Sequence, residues 1–183
     1  MPPTLSATPG IGCDDGRMNA QEKDELLAQA VRLREEGHPE QARERLLSLT
    51  AAFPEAVDVA YQTAWVHDVL GLEAEAVPYY ERSLQDDGLG EEDRRGALLG
   101  LGSTYRVLGR FGQAVETLRQ GVSEFPDDGA LQTFLAMALF NTGEHHEATQ
   151  LLLRLVAATS DSPHVQRYRP AIEHYAADLT RTM

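Results

Sequence analysis

Residues 101–126 read LGSTYRVLGRFGQAVETLRQGVSEFP, and this stretch decides the fold. The small residue Gly102 is followed by Tyr105, then by Gly109, Ala114, Leu118 and Pro126. Glycine adopts the left-handed backbone that ends a helix, and proline cannot continue one. The segment therefore reads as two short helices joined at Gly109 and stopped at Pro126. The same marks recur on both sides. The turn glycines Gly37, Gly71, Gly109 and Gly143 are separated by 34, 38 and 34 residues. Ala42, Ala76, Ala114 and Ala148 keep that spacing, and so do Ala30, Ala64, Gly102 and Ala136. Three columns in one register define a repeat.

Each column has a packing reason. The small residues let a helix approach its neighbour closely. Large residues then fill the gaps: Leu33, Tyr105 and Leu139 on the first helix of a unit, Leu46, Tyr80, Leu118 and Leu152 on the second. Pro54 and Pro126 stop second helices, while Gly88 and Ser160 stand at the matching places in the other units. A single hairpin of this kind cannot bury its apolar face, so the units must stack.

With Leu101-Gly102-Ser103-Thr104-Tyr105, Gly109-Arg110-Phe111, Ala114, Leu118 and Phe125-Pro126 in place, the chain resembles the tetratricopeptide repeat (TPR) family. Arg94-Arg95-Gly96-Ala97-Leu98-Leu99, Tyr168-Arg169 and Tyr175-Ala176-Ala177-Asp178-Leu179 further resemble a bacterial subgroup of small stand-alone TPR proteins. The resemblance implies an all-α fold, a right-handed superhelical α-solenoid of about four helical hairpins plus a C-terminal capping helix. The register sets the repeats at 23–56, 57–90, 95–128 and 129–162, within a repeat domain spanning 20–162. Residues 1–19, rich in Pro and Gly, are expected to form a flexible tail, and 163–183 the cap. In the cap, Val165, Tyr168, Ile172, Tyr175 and Leu179 share one face at helical spacing, with Pro170 either kinking the helix or starting its main part.

Composition narrows the function classes. The 183 residues are 42% hydrophobic and 25% charged, with a formal net charge of -13. Such a chain repels phosphate backbones and anionic lipid, so neither nucleic acid nor membrane is an expected partner. No apolar run is long enough to span a bilayer, and the first residues lack a basic start and an apolar core, so a soluble cytoplasmic protein is expected. The single cysteine, Cys13, has no basic neighbour to activate it.

Catalytic and metal motifs are lacking. His145 and His146 are adjacent, and successive helical residues diverge too far to share one ion. The acidic run Asp86–Asp93 lacks the ligand spacing of a calcium loop and reads as the start of the next helix. There is no phosphate-cradling glycine loop and no Gly-x-Ser-x-Gly elbow. His67 stands in a column of large apolar residues and reads as a core histidine hydrogen-bonded within repeat two, with a ligand or pH-sensing role as the alternative. No cofactor and no enzymatic activity are expected.

TPR stacks use the inner face of their first helices as a binding groove. Projected onto this register, that face carries Leu27, Val31 and Arg34; Tyr61, Gln62, Trp65 and Asp68; Leu99, Ser103 and Arg106; and Thr133, Phe134, Met137, Phe140 and Asn141. Arg34, Asp68 and Arg106 share a column, which suggests a ladder of mutual ion pairs or, alternatively, arginines held ready for a ligand carboxylate. The aromatics fit ligand contact and inter-repeat packing equally. One TPR class clamps chaperone carboxylates with Lys, Asn and Arg; here the matching inward positions include Leu27, Val31, Gln62, Gly96 and Gly100, so that clamp is missing. The expected function is a non-catalytic scaffold binding a partly apolar protein or peptide segment. The alternative is a self-associating structural protein whose groove or terminal helix is buried in a homo-oligomer.

Overall fold

The computed structural model describes residues 19–180. The expectations for the N-terminal tail, Cys13 and residues 181–183 lie outside them, save for Asn19. The described chain is all α-helix: α1 (Ala20–Glu35), α2 (Pro39–Ala52), α3 (Val57–Val69), α4 (Glu73–Ser83), α5 (Glu91–Val107), α6 (Phe111–Glu124), α7 (Gly129–Asn141), α8 (His145–Thr159) and α9 (Pro163–Ala177). None of these is long and apolar enough to cross a membrane.

Local chemistry sets the ends. Asn19 and Glu22 form a reciprocal capping box at the start of α1, with bonds of 2.9 and 3.0 Å. Asp128 accepts from the Leu131 amide to cap α7. Glu91, Glu92 and Asp93 open α5, where negative charge suits the positive helix end. The four turn glycines have φ between 69° and 86°, and they are the described residues with left-handed backbone. Ahead of Pro54 and Pro126, α2 and α6 end on Phe53 and Phe125. Where that proline is replaced by Gly88, α4 stops already at Ser83, and buried Leu89 pins the following link to the core. Pro163 opens α9 and Pro170 lies within it.

The hairpins α1–α2, α3–α4, α5–α6 and α7–α8 stack as an α-solenoid. The odd-numbered helices α1, α3, α5 and α7 pack backbone to backbone in sequence, whereas α2, α4, α6 and α8 stand farther apart, α6 reaching α8 through the Arg119–Glu147 bridge at 3.0 Å. The odd row is therefore the inner, tighter side of the curve. The small-residue columns at Ala30, Ala64, Gly102 and Ala136, and at Ala42, Ala76, Ala114 and Ala148, are all buried. A Cβ on Gly102 would lie 2.7 Å from Leu118 Cδ2, which is why glycine occupies that place.

The fourth unit departs from expectation. Leu46, Tyr80 and Leu118 are buried as the register requires, but Leu152 is 41% exposed. Tyr168 in α9 is exposed as well, although its stripe partners Val165, Ile172, Tyr175 and Leu179 are half-buried. The reason is where α9 sits. It rests on α8 alone and does not touch α7, unlike α5 on α3 or α7 on α5. Ala157 of α8 and Ala176 of α9 are both buried, while Gln150 and Arg154 donate to the Ala177 and Ala176 carbonyls. The matching outer positions Ala51, Gln85 and Ser123 are exposed. The terminal helix thus covers the outer side of α8, not the side on which another hairpin would stack.

Candidate functional site

The inner faces of α1, α3, α5 and α7 enclose a groove of about 780 Å³. Of the residues projected onto that face, Val31, Arg34, Tyr61, Gln62, Trp65, Asp68, Leu99, Ser103 and Phe134 line it together. Arg106, Met137, Phe140 and Asn141 are not part of the lining. Phe140 stands toward solvent at 64% exposure, tilted on His145 with ring centroids 4.7 Å apart.

Trp65 sits at the centre. It is 40% exposed, and the Arg34 guanidinium lies 3.5 Å from its ring centroid. Arg34 is itself buried and donates to Gln62 Oε1. Burial holds the guanidinium below its ordinary pKa, opposed by Tyr61 and Glu35. The cation–π contact thus occupies one side of the indole. Tyr61 lies 5.7 Å from Trp65 and 6.4 Å from Tyr80, and both tyrosines are buried. Burial, reinforced by Asp93, pushes the Tyr61 phenol up to about 12. A Cβ on Gly96 would collide with the Tyr61 hydroxyl, and one on Gly100 with the Tyr80 ring. These two glycines of α5 cradle the tyrosine pair.

The ion-pair ladder is not formed. Arg34, Asp68 and Arg106 make no ion pair with one another. Asp68 instead accepts from Tyr80 Oη at 2.7 Å and from Thr104 Oγ1 at 2.9 Å. Arg106 Nε is buried without a hydrogen-bond partner. The column aligned the three residues, but Arg34 and Asp68 each reach a neighbour of the next inner helix, and for Asp68 that is a hydroxyl.

Burial raises the Asp68 carboxyl above its usual range, outweighing the two hydroxyl donors. A carboxyl raised in the folded state costs stability above its folded pKa and is relieved as pH falls through it. Asp68→Asn, which keeps an acceptor for Tyr80, should therefore be at least as stable as wild type at neutral pH, with the gap closing on acidification. Asp68→Ala leaves two buried hydroxyls unpaired and should cost about 1–3 kcal/mol. Urea unfolding from pH 7 to pH 4 checks both; a loss for Asp68→Asn that grows with pH would sink this account.

Several groove residues were not singled out from sequence. Tyr80, on an outer helix, reaches through to the groove. Arg95 pairs with Asp128 at 3.6 Å. Glu92 and Asp93 lie at the lining's acidic side, and burial, Glu92 and Asp58 raise the Asp93 carboxyl. The available signal was the pairing of Gly96 and Gly100, spaced to share one face of α5. His67 is a core residue as read: it is buried, Nδ1 donates to the Thr63 carbonyl at 2.6 Å, and Nε2 accepts from Arg43 Nε at 3.1 Å. The Arg43 bond, from α2, carries its network into the preceding hairpin.

Residues 56–179 match the family model described as tetratrico peptide repeat. No curated protein matches the chain. Among solved structures, MamA AMB-1 is 19% identical, with 81% of each chain covered and a TM-score of 0.66. A second MamA structure is 16% identical, covering 88% of this chain and 78% of its own, with a TM-score of 0.63. The nearly identical TPR-like repeats of a Podosopora anserina kinesin light chain are 19% identical, covering 87% of this chain and 97% of theirs, with a TM-score of 0.57. At these identities the likeness is one of fold.

Proposed function

Because the chain belongs to the tetratrico peptide repeat family, we propose that its inner groove binds a partly apolar, basic segment of another protein, as a non-catalytic scaffold. The observation that supports this most is the half-open Trp65 at the groove centre. Its ring offers apolar area in a pocket whose lining holds five carboxylates, Glu35, Asp68, Glu92, Asp93 and Asp128, against two guanidiniums. Both guanidiniums are already engaged, Arg34 by Gln62 and Trp65, Arg95 by Asp128. A Lys or Arg on the partner would compensate the acidic side, and an aromatic or aliphatic side chain would stack on Trp65.

A random peptide library selected on the wild-type protein should return segments combining an aromatic or aliphatic anchor with Lys or Arg. Their affinity should fall about tenfold or more for Trp65→Ala and weaken as salt rises. Peptides enriched in Asp and Glu, or bound equally by Trp65→Ala, would overturn this reading.

A further inference from the structure

The stack ends on an open position. In the first three hairpins, the side chains at three repeat positions are buried or half-buried. Arg34 meets Gln62 of α3, and Asp68 meets Thr104 of α5. Leu46 clusters with Val66 of α3. At the same positions in the fourth hairpin, Phe140 is 64% and Leu152 41% exposed. Val156 is 43% exposed, whereas its counterparts Thr50, Leu84 and Val122 are half-buried. Among the described residues nothing fills this slot, because α9 lies on the outer side of α8.

The opposite end is built differently. Where α3, α5 and α7 present Val59, Ala97 and Leu131 to the preceding hairpin, α1 carries Glu25. Where they present Val66, Thr104 and Ala138, α1 carries Arg32. Both Glu25 and Arg32 are exposed. One end of the solenoid is solvated by charge and the other is apolar.

We propose that the open slot is a homodimer interface in which the fourth hairpins of two copies meet about a twofold axis. Charge selects this occupant. The segment Gly129–Asn141 contains no charged residue, and the α8 stripe His145, Thr149, Leu152, Val156 and Thr159 holds no Asp, Glu, Lys or Arg. In a chain of net charge -13, this is a face on which two copies can meet without opposing like charges. It offers nothing for a charged partner to read. Head-to-tail stacking would bury Glu25 and Arg32, so the contact is isologous and closes at two copies. The proposal is independent of the groove reading.

Sedimentation velocity over about a hundredfold range of protein concentration tests it on the full chain. Wild type should pass from monomer to dimer and stop there. Phe140→Glu/Leu152→Glu, which places like charges across the axis, should weaken association about a hundredfold or more. Val156→Glu should act in the same direction, and all three substitutions lie at exposed positions, so circular dichroism should match wild type. Trp65→Ala should dimerise normally. The proposal is overturned by a wild type that stays monomeric, by glutamate variants that still dimerise, by dimers lost in Trp65→Ala, or by species that grow beyond two copies.

Discussion

Leu118→Ala is expected to lower stability by about 2–5 kcal/mol, while Leu152→Ala, at the equivalent position of the next hairpin, costs under about 1 kcal/mol. The two leucines share a repeat position and a helix type. Leu118 is fully buried beneath Gly102 in the main core, so truncation removes transferred area and leaves a cavity. Leu152 is 41% exposed, and truncation there removes little that folding had taken from water. Urea midpoints with unchanged slopes, measured at low protein concentration, give the comparison. Equal losses would mean that the open end of the stack is covered in the isolated chain. At high concentration, where two copies meet, the Leu152→Ala penalty should grow.

Two glycine-to-alanine changes should act with opposite sign. A Cβ at Gly100 would fall within 2.8 Å of three Tyr80 atoms. Tyr80 is buried and its hydroxyl is tied to Asp68 at 2.7 Å, so the ring has nowhere to retreat. Overpacking of this kind costs about 1–3 kcal/mol, and a broken buried hydrogen bond adds to it. Alanine's better helix propensity returns at most about 1 kcal/mol. Gly112, near the start of α6, has open space around its would-be Cβ and ordinary backbone. Gly112→Ala should therefore stabilise by about 0.5–1 kcal/mol. Thermal unfolding of the two variants beside wild type settles it. A stable Gly100→Ala would show that α4 and α5 can separate without loss.

Periodicity in the chain was enough to place every hairpin turn. The four glycines with positive φ and the two small-residue columns are where the 34, 38, 34 spacing set them. Such positions are legible because backbone sterics and close packing admit few residue types. The groove was legible as a face but not as a set of contacts. Sequence register aligns Arg34, Asp68 and Arg106, yet whether a side chain meets a carboxylate, an indole or a hydroxyl depends on rotamer and on the helix across the gap. Arg34 chose Trp65 and Gln62, and Asp68 chose Tyr80 and Thr104. The apolar stripe of α9 likewise announced a packed helix. It did not say which side of α8 would receive it, since both sides offer apolar area.

The order of contacts has a kinetic consequence. Every helix touches only its next or next-but-one neighbour along the chain, so no contact between helices closes a long loop. Low loop-closure entropy favours fast assembly from any hairpin outward. It also lets the ends melt without taking the middle with them. With α9 held by α8 alone, unzipping starts there. The central hairpins, which carry Trp65 and the tyrosine pair, open last.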